Sequence, residues 1–238
     1  MVDYEKDKQF LIMAFKPYLV NEKETKVVNL KKVKGSKAAS ILILLQYKDG
    51  DWHVLLTVRS IHLRRHPGEV AFPGGMVDKE DLNDPVRTAL REGIEEIGLE
   101  INKIDIIGQL PWIRTRFNII IHPVIGIIKK ELILRINKDE VSQHFTCPLS
   151  IFLKNNIYTT FHVNKFQFHS FQYGDKNIYG ITAWLLIKIA MIIYNKKPQF
   201  NLMYVNNKMN IQQIIKESFK KGQKPIAITQ EKESKSKL

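Results

Sequence analysis

The run Phe72-Pro73-Gly74-Gly75, followed downstream by Arg91-Glu92-Gly93-Ile94-Glu95-Glu96-Ile97-Gly98-Leu99, reads as a turn leading into a two-faced helix. Glu92, Glu95 and Glu96 stand at i, i+3 and i+4, within an arc of about 100°. Three negative charges so close repel one another unless a cation sits among them, and carboxylate oxygens suit Mg²⁺ or Mn²⁺. Val86, Ala89, Leu90, Ile94 and Ile97 form an apolar stripe spaced by three and four, so the helix should pack on a sheet and turn its acids to a cleft. Asp84 reads as the N-cap, Pro85 as the first helical residue and Gly98 as the left-handed end. Arg91, four residues before Glu95, is placed to hold that carboxylate. Gly93 in the helix interior costs roughly 1 kcal/mol relative to Ala. It marks either close backbone packing on the sheet or a tolerated substitution.

These residues resemble the motif of the Nudix hydrolases, a glycine and a variable loop followed by Arg-Glu-small-x-Glu-Glu-x-Gly-apolar, here Gly75 and then Arg91 through Leu99. Upstream, Leu55-Leu56-Thr57-Val58-Arg59-Ser60, Arg64, Gly68 and Phe72-Pro73-Gly74-Gly75 are similar to the longer signature of that family's coenzyme A diphosphatase branch. The resemblance implies an α/β/α sandwich with a mixed sheet and makes Glu92, Glu95 and Glu96 ligands of Mg²⁺ or Mn²⁺. The general base is then one of these three or Glu140, in the polar loop Asn137-Lys138-Asp139-Glu140. Gly74 and Gly75 would face the substrate. Arg59 and Arg64 carry guanidinium groups that can fork onto phosphate oxygens; Arg65 and His66, outside the fixed positions, read as solvated. One departure stands out: Asp81 fills the slot where the general pattern has Glu, and Arg91 arrives two residues late, so Glu80 and Asp81 are not assigned as ligands. His62 and His66 lack the partners of a zinc site. The implied reaction splits coenzyme A, acyl-CoA or another CoA derivative into 3′,5′-ADP and 4′-phosphopantetheine or its acyl form. A Nudix pyrophosphatase of NADH or ADP-ribose, and a non-catalytic nucleotide-binding Nudix module, are the alternatives. Thr115, Arg116, Phe166 and Phe168 are candidates for lining a pantetheine channel, although core packing is the commoner role of such Phe side chains.

With 238 residues, 44% of them hydrophobic, the chain can bury one sizeable core. Cys147 is the single cysteine, which excludes internal disulfides and reads as a core residue. The net charge of +13 attracts polyanions. Yet the lysines are scattered, with pairs such as Lys31-Lys32 and Lys129-Lys130, and no nucleic-acid module accompanies them. A phosphorylated small molecule accounts for part of the charge. The acidic opening, Met1 to Asp7, does not read as a signal peptide. The longest apolar stretch, residues 181–194, is interrupted by Lys188 and falls short of the roughly 20 residues needed to cross a bilayer. No nucleic-acid or membrane partner is expected, and a monomer is. The last three residues, Ser236-Lys237-Leu238, spell a peroxisomal import address at the end of a polar tail, so an import receptor is the expected protein partner and the peroxisomal matrix the expected location.

Along the chain, residues 10–18 read as a short helix, residues 40–45 and 52–58 as strands of a hairpin turning at Asp49-Gly50, and residues 104–110, 119–128 and 166–173 as further strands. Residues 181–194 and 211–220, the latter capped by Asn210, read as C-terminal helices. The expected organisation is an N-terminal extension (1–36), a Nudix domain (37–172), a helical part packed on it (173–229) and a disordered tail (230–238).

Overall fold

The computed structural model describes residues 3–21, 37–163, 166–202 and 209–224, so Ser236, Lys237, Leu238 and Lys31-Lys32 lie outside the described residues. Helix α1 (Tyr4–Phe15) opens earlier than the periodicity over residues 10–18 suggests, because the Asp3 side chain accepts a hydrogen bond from the Lys6 N–H at 3.3 Å. Strands β1 (Lys37–Lys48) and β2 (Asp51–Arg59) form the expected hairpin, with Asp49 and Gly50 at φ +52° and +78°, the pair of positive values that a tight two-residue turn needs. The chain continues through β3 (Val70–Ala71), β4 (Gly74–Met76), a 3₁₀ turn over Lys79–Asp81 and helix α2 (Pro85–Ile97). Then come β5 (Ile104–Gln109), β6 (Ile113–Arg114), β7 (Ile119–Ile128) and β8 (Val141–Pro148). After a 3₁₀ segment, β9 (Tyr158–Val163), β10 (Phe166–Tyr173) and β11 (Lys176–Tyr179) form a small antiparallel sheet, followed by α3 (Gly180–Tyr194) and α4 (Ile211–Gln223).

The main sheet runs β3-β2-β1-β7-β5, with β4 on β1, β6 on β7 and β8 on β2. Its centre is mixed: β1 and β7 are parallel, from Lys37 opposite Ile119 to Leu45 opposite Ile127, while the other pairings are antiparallel. Alternation along β1 splits the core between two faces. Leu42 and Leu44, with Leu55 and Val124, meet Ala89 and Ile97 of α2. Ile43 and Leu45, with Val54, Leu56, Ile125 and Ile127, meet Leu11 and Phe15 of α1 and the apolar length of α3 and α4. This is the α/β/α layering expected from the sequence. Cys147 is fully buried as expected, and burial pushes its thiol pKa up. Helix α3 is buried nearly throughout, Lys188 included, and no helix among the described residues is long and apolar enough to cross a membrane.

One local feature places the site. β1 and β2 pair only from Leu45 and Val54 to the turn; beyond that they splay apart, and residues 70–76 fill the wedge. There β3 pairs with Thr57 and Val58 of β2, β4 pairs with Ala39 to Ile41 of β1, and the Leu42 N–H donates to the Pro73 carbonyl at 2.8 Å. The Phe72-Pro73-Gly74-Gly75 run is therefore part of the sheet rather than a surface turn. The apolar stripe of α2 needs one correction: Ile94 is 45% exposed. The face meeting the sheet is centred on Ala89, Gly93 and Ile97, which turns Ile94 outward. An added Cβ on Gly93 would stand 3.0 Å from Leu99 and 3.3 Å from Leu42, which supports the close-packing reading of that glycine.

Candidate active site

Helix α2 is built as its sequence announces. Asp84 caps it by accepting from the Val86 N–H at 2.8 Å, Pro85 occupies the first turn, and Gly98 ends it at φ +63°. With its axis fixed over the wedge, Glu92 and Glu96 point at the glycines of β4. The Gly74 N–H donates to Glu96 Oε2 at 3.0 Å. Any side chain on Gly75 would overlap the Glu92 carboxylate, and any on Gly74, at φ +149°, would overlap the Ser40 backbone. Two glycines in a row thus let a helix bring acids onto a strand.

Glu140 arrives from the other side. It closes a turn in which its N–H donates to the Asn137 carbonyl at 3.0 Å, and that turn is tied to α2 by the Asn137 N–H donating to the Glu96 carbonyl at 2.9 Å. The Glu140 carbonyl accepts from the Ser60 N–H at 2.9 Å, which fixes it beside the end of β2. Carboxylate oxygens of Glu92, Glu96 and Glu140 lie within 4.8 Å of one another. Glu95 stands elsewhere, about half exposed and held by Arg91 Nη1 at 2.9 Å; the same nitrogen binds Glu92 Oε1 at 2.9 Å, so Glu95 flanks the cluster across one guanidinium. The expected Arg91–Glu95 pairing is present.

Asp81 has a role that the sequence reading left open. It is buried, accepts from Arg91 Nε at 2.9 Å and Nη2 at 3.0 Å, and takes a further hydrogen bond from the Thr88 hydroxyl at 2.9 Å. Those Arg91 bonds hold its carboxyl below the usual range, and Arg91 in turn is held protonated by Asp81. The clamp locks the guanidinium that positions Glu92 and Glu95. An acid ten residues before an Arg, joined by a capping turn, is the signal that could have found it.

The electrostatics of the three converging acids favour a cation. Burial raises Glu96 to about 7 against the opposing Gly74 hydrogen bond, with the Glu92 charge adding to the rise. Burial also raises Glu92, with Arg91 opposing. Glu96 meets one cation at a distance, Arg59 Nη1 at 4.0 Å from Oε1. An all-oxygen donor set in this crowded state fits Mg²⁺ or Mn²⁺, so the residues present suit the ion expected from the sequence. Arg59 also has a buried Nε without a hydrogen-bond partner among the described residues, leaving a donor for an anion. Arg64 lies exposed on the loop from Arg59 to Gly68, with Arg65 and His62 exposed beside it. His66 pairs with Glu69 at 3.0 Å. Arg116 is exposed, and Phe168 stacks on Phe161 at 5.4 Å between ring centres.

A carboxylate cluster on a helix that follows a Gly-Gly strand, under an α/β/α sandwich, defines the class: residues 36–163 match the NUDIX domain, and the chain belongs to the Nudix hydrolase family. Among its relatives, the peroxisomal coenzyme A diphosphatase ndx-8 of Caenorhabditis elegans is 42% identical over 179 residues, covering 72% of this chain and 75% of the relative. The peroxisomal coenzyme A diphosphatase NUDT7 of Mus musculus is 34% identical over 179 residues, covering 71% and 75%. Nudix hydrolase 15, mitochondrial, of Arabidopsis thaliana is 37% identical over 177 residues, covering 70% and 62%.

Proposed function

We propose that this protein is a divalent-metal-dependent diphosphatase that hydrolyses the phosphoanhydride of coenzyme A or its acyl derivatives to 3′,5′-ADP and 4′-phosphopantetheine or the acyl form, in the peroxisome. The observation that carries the reading is the convergence of Glu92, Glu96 and Glu140 within 4.8 Å beside an arginine with a spare buried donor. The names of two relatives support the substrate and the compartment, as does the terminal Ser236-Lys237-Leu238.

In this reading Glu92 and Glu96 hold Mg²⁺ or Mn²⁺, with Glu95 completing the acidic lining on the outer side of Arg91. When bound, the ion supplies positive charge that polarises phosphate oxygens and makes water more acidic. Glu140, on the opposite wall, accepts the proton that water loses as its oxygen bonds to phosphorus. Glu92 or Glu95 would fill that role if Glu140 instead serves as a third ligand. The bridging P–O bond breaks, and Arg59 and Arg64 bind the phosphate oxygens on which charge gathers. Gly74 and Gly75 leave room for those oxygens at the strand backbone.

The test is a substrate panel. Purified protein is incubated with coenzyme A, acetyl-CoA, NADH and ADP-ribose at matched concentration, with Mg²⁺, Mn²⁺ or chelator, and the products are separated by chromatography. The expected outcome is 3′,5′-ADP from both coenzyme A substrates with metal and none with chelator. Faster cleavage of NADH or ADP-ribose overturns the substrate, and cleavage in chelator overturns the metal dependence. A tagged chain lacking Leu238 should remain outside peroxisomes; unchanged import removes the terminal address.

A further inference from the structure

Two turns far apart in the sequence meet at one end of the cleft. The turn joining β6 to β7 is fixed by its own bonds: the Thr115 N–H donates to the Ile119 carbonyl at 2.8 Å, the Asn118 N–H to the Thr115 carbonyl at 3.1 Å, and Asn118 sits at φ +60°. It presents Phe117 to solvent, 58% exposed, with the Arg116 guanidinium 4.6 Å from the ring centre. His66, from the loop that follows Arg59, meets the same ring at 6.2 Å between centroids in an edge arrangement. A lone exposed Phe needs no explanation. This one is framed by a hydrogen-bonded turn, the Arg116 guanidinium and the His66 ring, and among the described residues no carboxylate pairs with Arg116.

The register measures how far this ring stands from the carboxylates. Ile119 is opposite Lys37 and His122 is opposite Ser40, while Ser40 is also opposite Gly75, which lies against Glu92. Three strand residues span about 10 Å. The loop from Arg59 to His66 crosses the same interval, starting beside Glu96 and ending on Phe117. A molecule with its phosphoanhydride at the acids would thus present its far end to this turn.

We propose that the Arg116–Phe117 turn is the nucleoside subsite: Phe117 stacks on the adenine ring and Arg116 takes the ribose 3′-phosphate. The proposal rests on the coenzyme A reading above and deepens it by saying which residues recognise the nucleotide half. A flat ring offers a π-face to any base, and a planar guanidinium forks onto a phosphate dianion.

The experiment uses the full chain, with Arg116→Gln and Phe117→Leu variants, and compares coenzyme A with dephospho-CoA, which lacks the 3′-phosphate. Arg116→Gln should lower the preference for coenzyme A over dephospho-CoA in kcat/KM about tenfold. Phe117→Leu should raise KM for both substrates about fivefold and leave that preference intact. Wild-type KM in both variants, or an Arg116→Gln effect equal on the two substrates, overturns the subsite. Failure of wild-type protein to cleave either coenzyme defeats the functional reading instead. The subsite is then decided by calorimetry with adenosine 3′,5′-bisphosphate: binding weakened in Arg116→Gln supports it, and equal or absent binding overturns it.

Discussion

Glu96 on α2 and Lys188 on α3 are buried on opposite faces of one sheet, and burial moves both toward neutrality, Glu96 up to about 7 and Lys188 down to about 7. Their surroundings differ. Glu96 has the Gly74 N–H, Arg59, and the half-buried Glu92 and Glu140, which open toward solvent. Lys188 has the Trp184 ring at 5.1 Å, an apolar helix around it and the buried His169 near enough to feel its charge, with no carboxylate paired to it among the described residues. The same desolvation produces a candidate reaction centre on one face and an amine sealed inside the core on the other. A perturbed group becomes chemically useful where other polar groups converge on it, so perturbation alone is a weak guide to function.

Four substitutions probe that contrast. The largest effect is expected from Glu96→Gln, which should lower kcat about a thousandfold, read in a steady-state assay at pH 8. In metal-free protein the same change should not destabilise the fold. The Glu96 carboxyl titrates near 7 in the folded chain and near 4.5 when free, so wild-type stability is lost as pH rises through that window and stays lost above it. Melting curves in chelator should therefore show Glu96→Gln above wild type at pH 8 and level with it at pH 4, and added Mn²⁺ should narrow the gap. Undiminished turnover would remove Glu96 from the mechanism.

The two glycines should separate fold from site. Gly74→Ala places a Cβ in the Ser40 and Ile41 backbone at a strained φ, and should cost several kcal/mol in denaturant unfolding. Gly75→Ala meets only the tip of Glu92, which can move, so stability should stay within about 1 kcal/mol while Mn²⁺ affinity by calorimetry drops about tenfold. Equal losses of stability would mean that Glu92 is as rigid as the strand.

The smallest effect is expected from Lys188→Met. A lysine titrating near 7 in the fold and near 10.5 when free carries its full cost below pH 7, and that cost is relieved as pH rises above 7. The substitution should raise Tm by a few degrees at pH 6, with a gain that shrinks toward pH 10 in scanning calorimetry, and leave kcat unchanged. A fall in kcat would place Lys188 in contact with the reaction after all.

Helix α2 was legible because its caps, its stripe and its acids are all local, set by spacings of three and four. The hairpin at Asp49-Gly50 was legible for the same reason, two residues tolerant of positive φ between apolar runs. The wedge was not, since β3 and β4 span two and three residues and exist only through partners in β1 and β2. β8 escaped too: Ser142, Gln143 and His144 give it a polar start, and its strand character comes from pairing with β2. Within the site, Glu140 could be nominated from its polar loop, but its approach to Glu92 and Glu96 depends on contacts between distant segments. The contact of His66 with Phe117 had no sequence signal, because neither turn predicts the position of the other.

The seating of Gly74 and Gly75 between two splayed central strands has a consequence for how the molecule can breathe. A floor made of ladder hydrogen bonds cannot swing aside as a lid does; releasing it means unzipping β1 from its neighbours, an opening close in free energy to losing the whole fold. The amide proton of Leu42, which is bonded to the Pro73 carbonyl, should then exchange as slowly as the most protected in the protein, while the exposed loop carrying Arg64 exchanges freely around an immobile base.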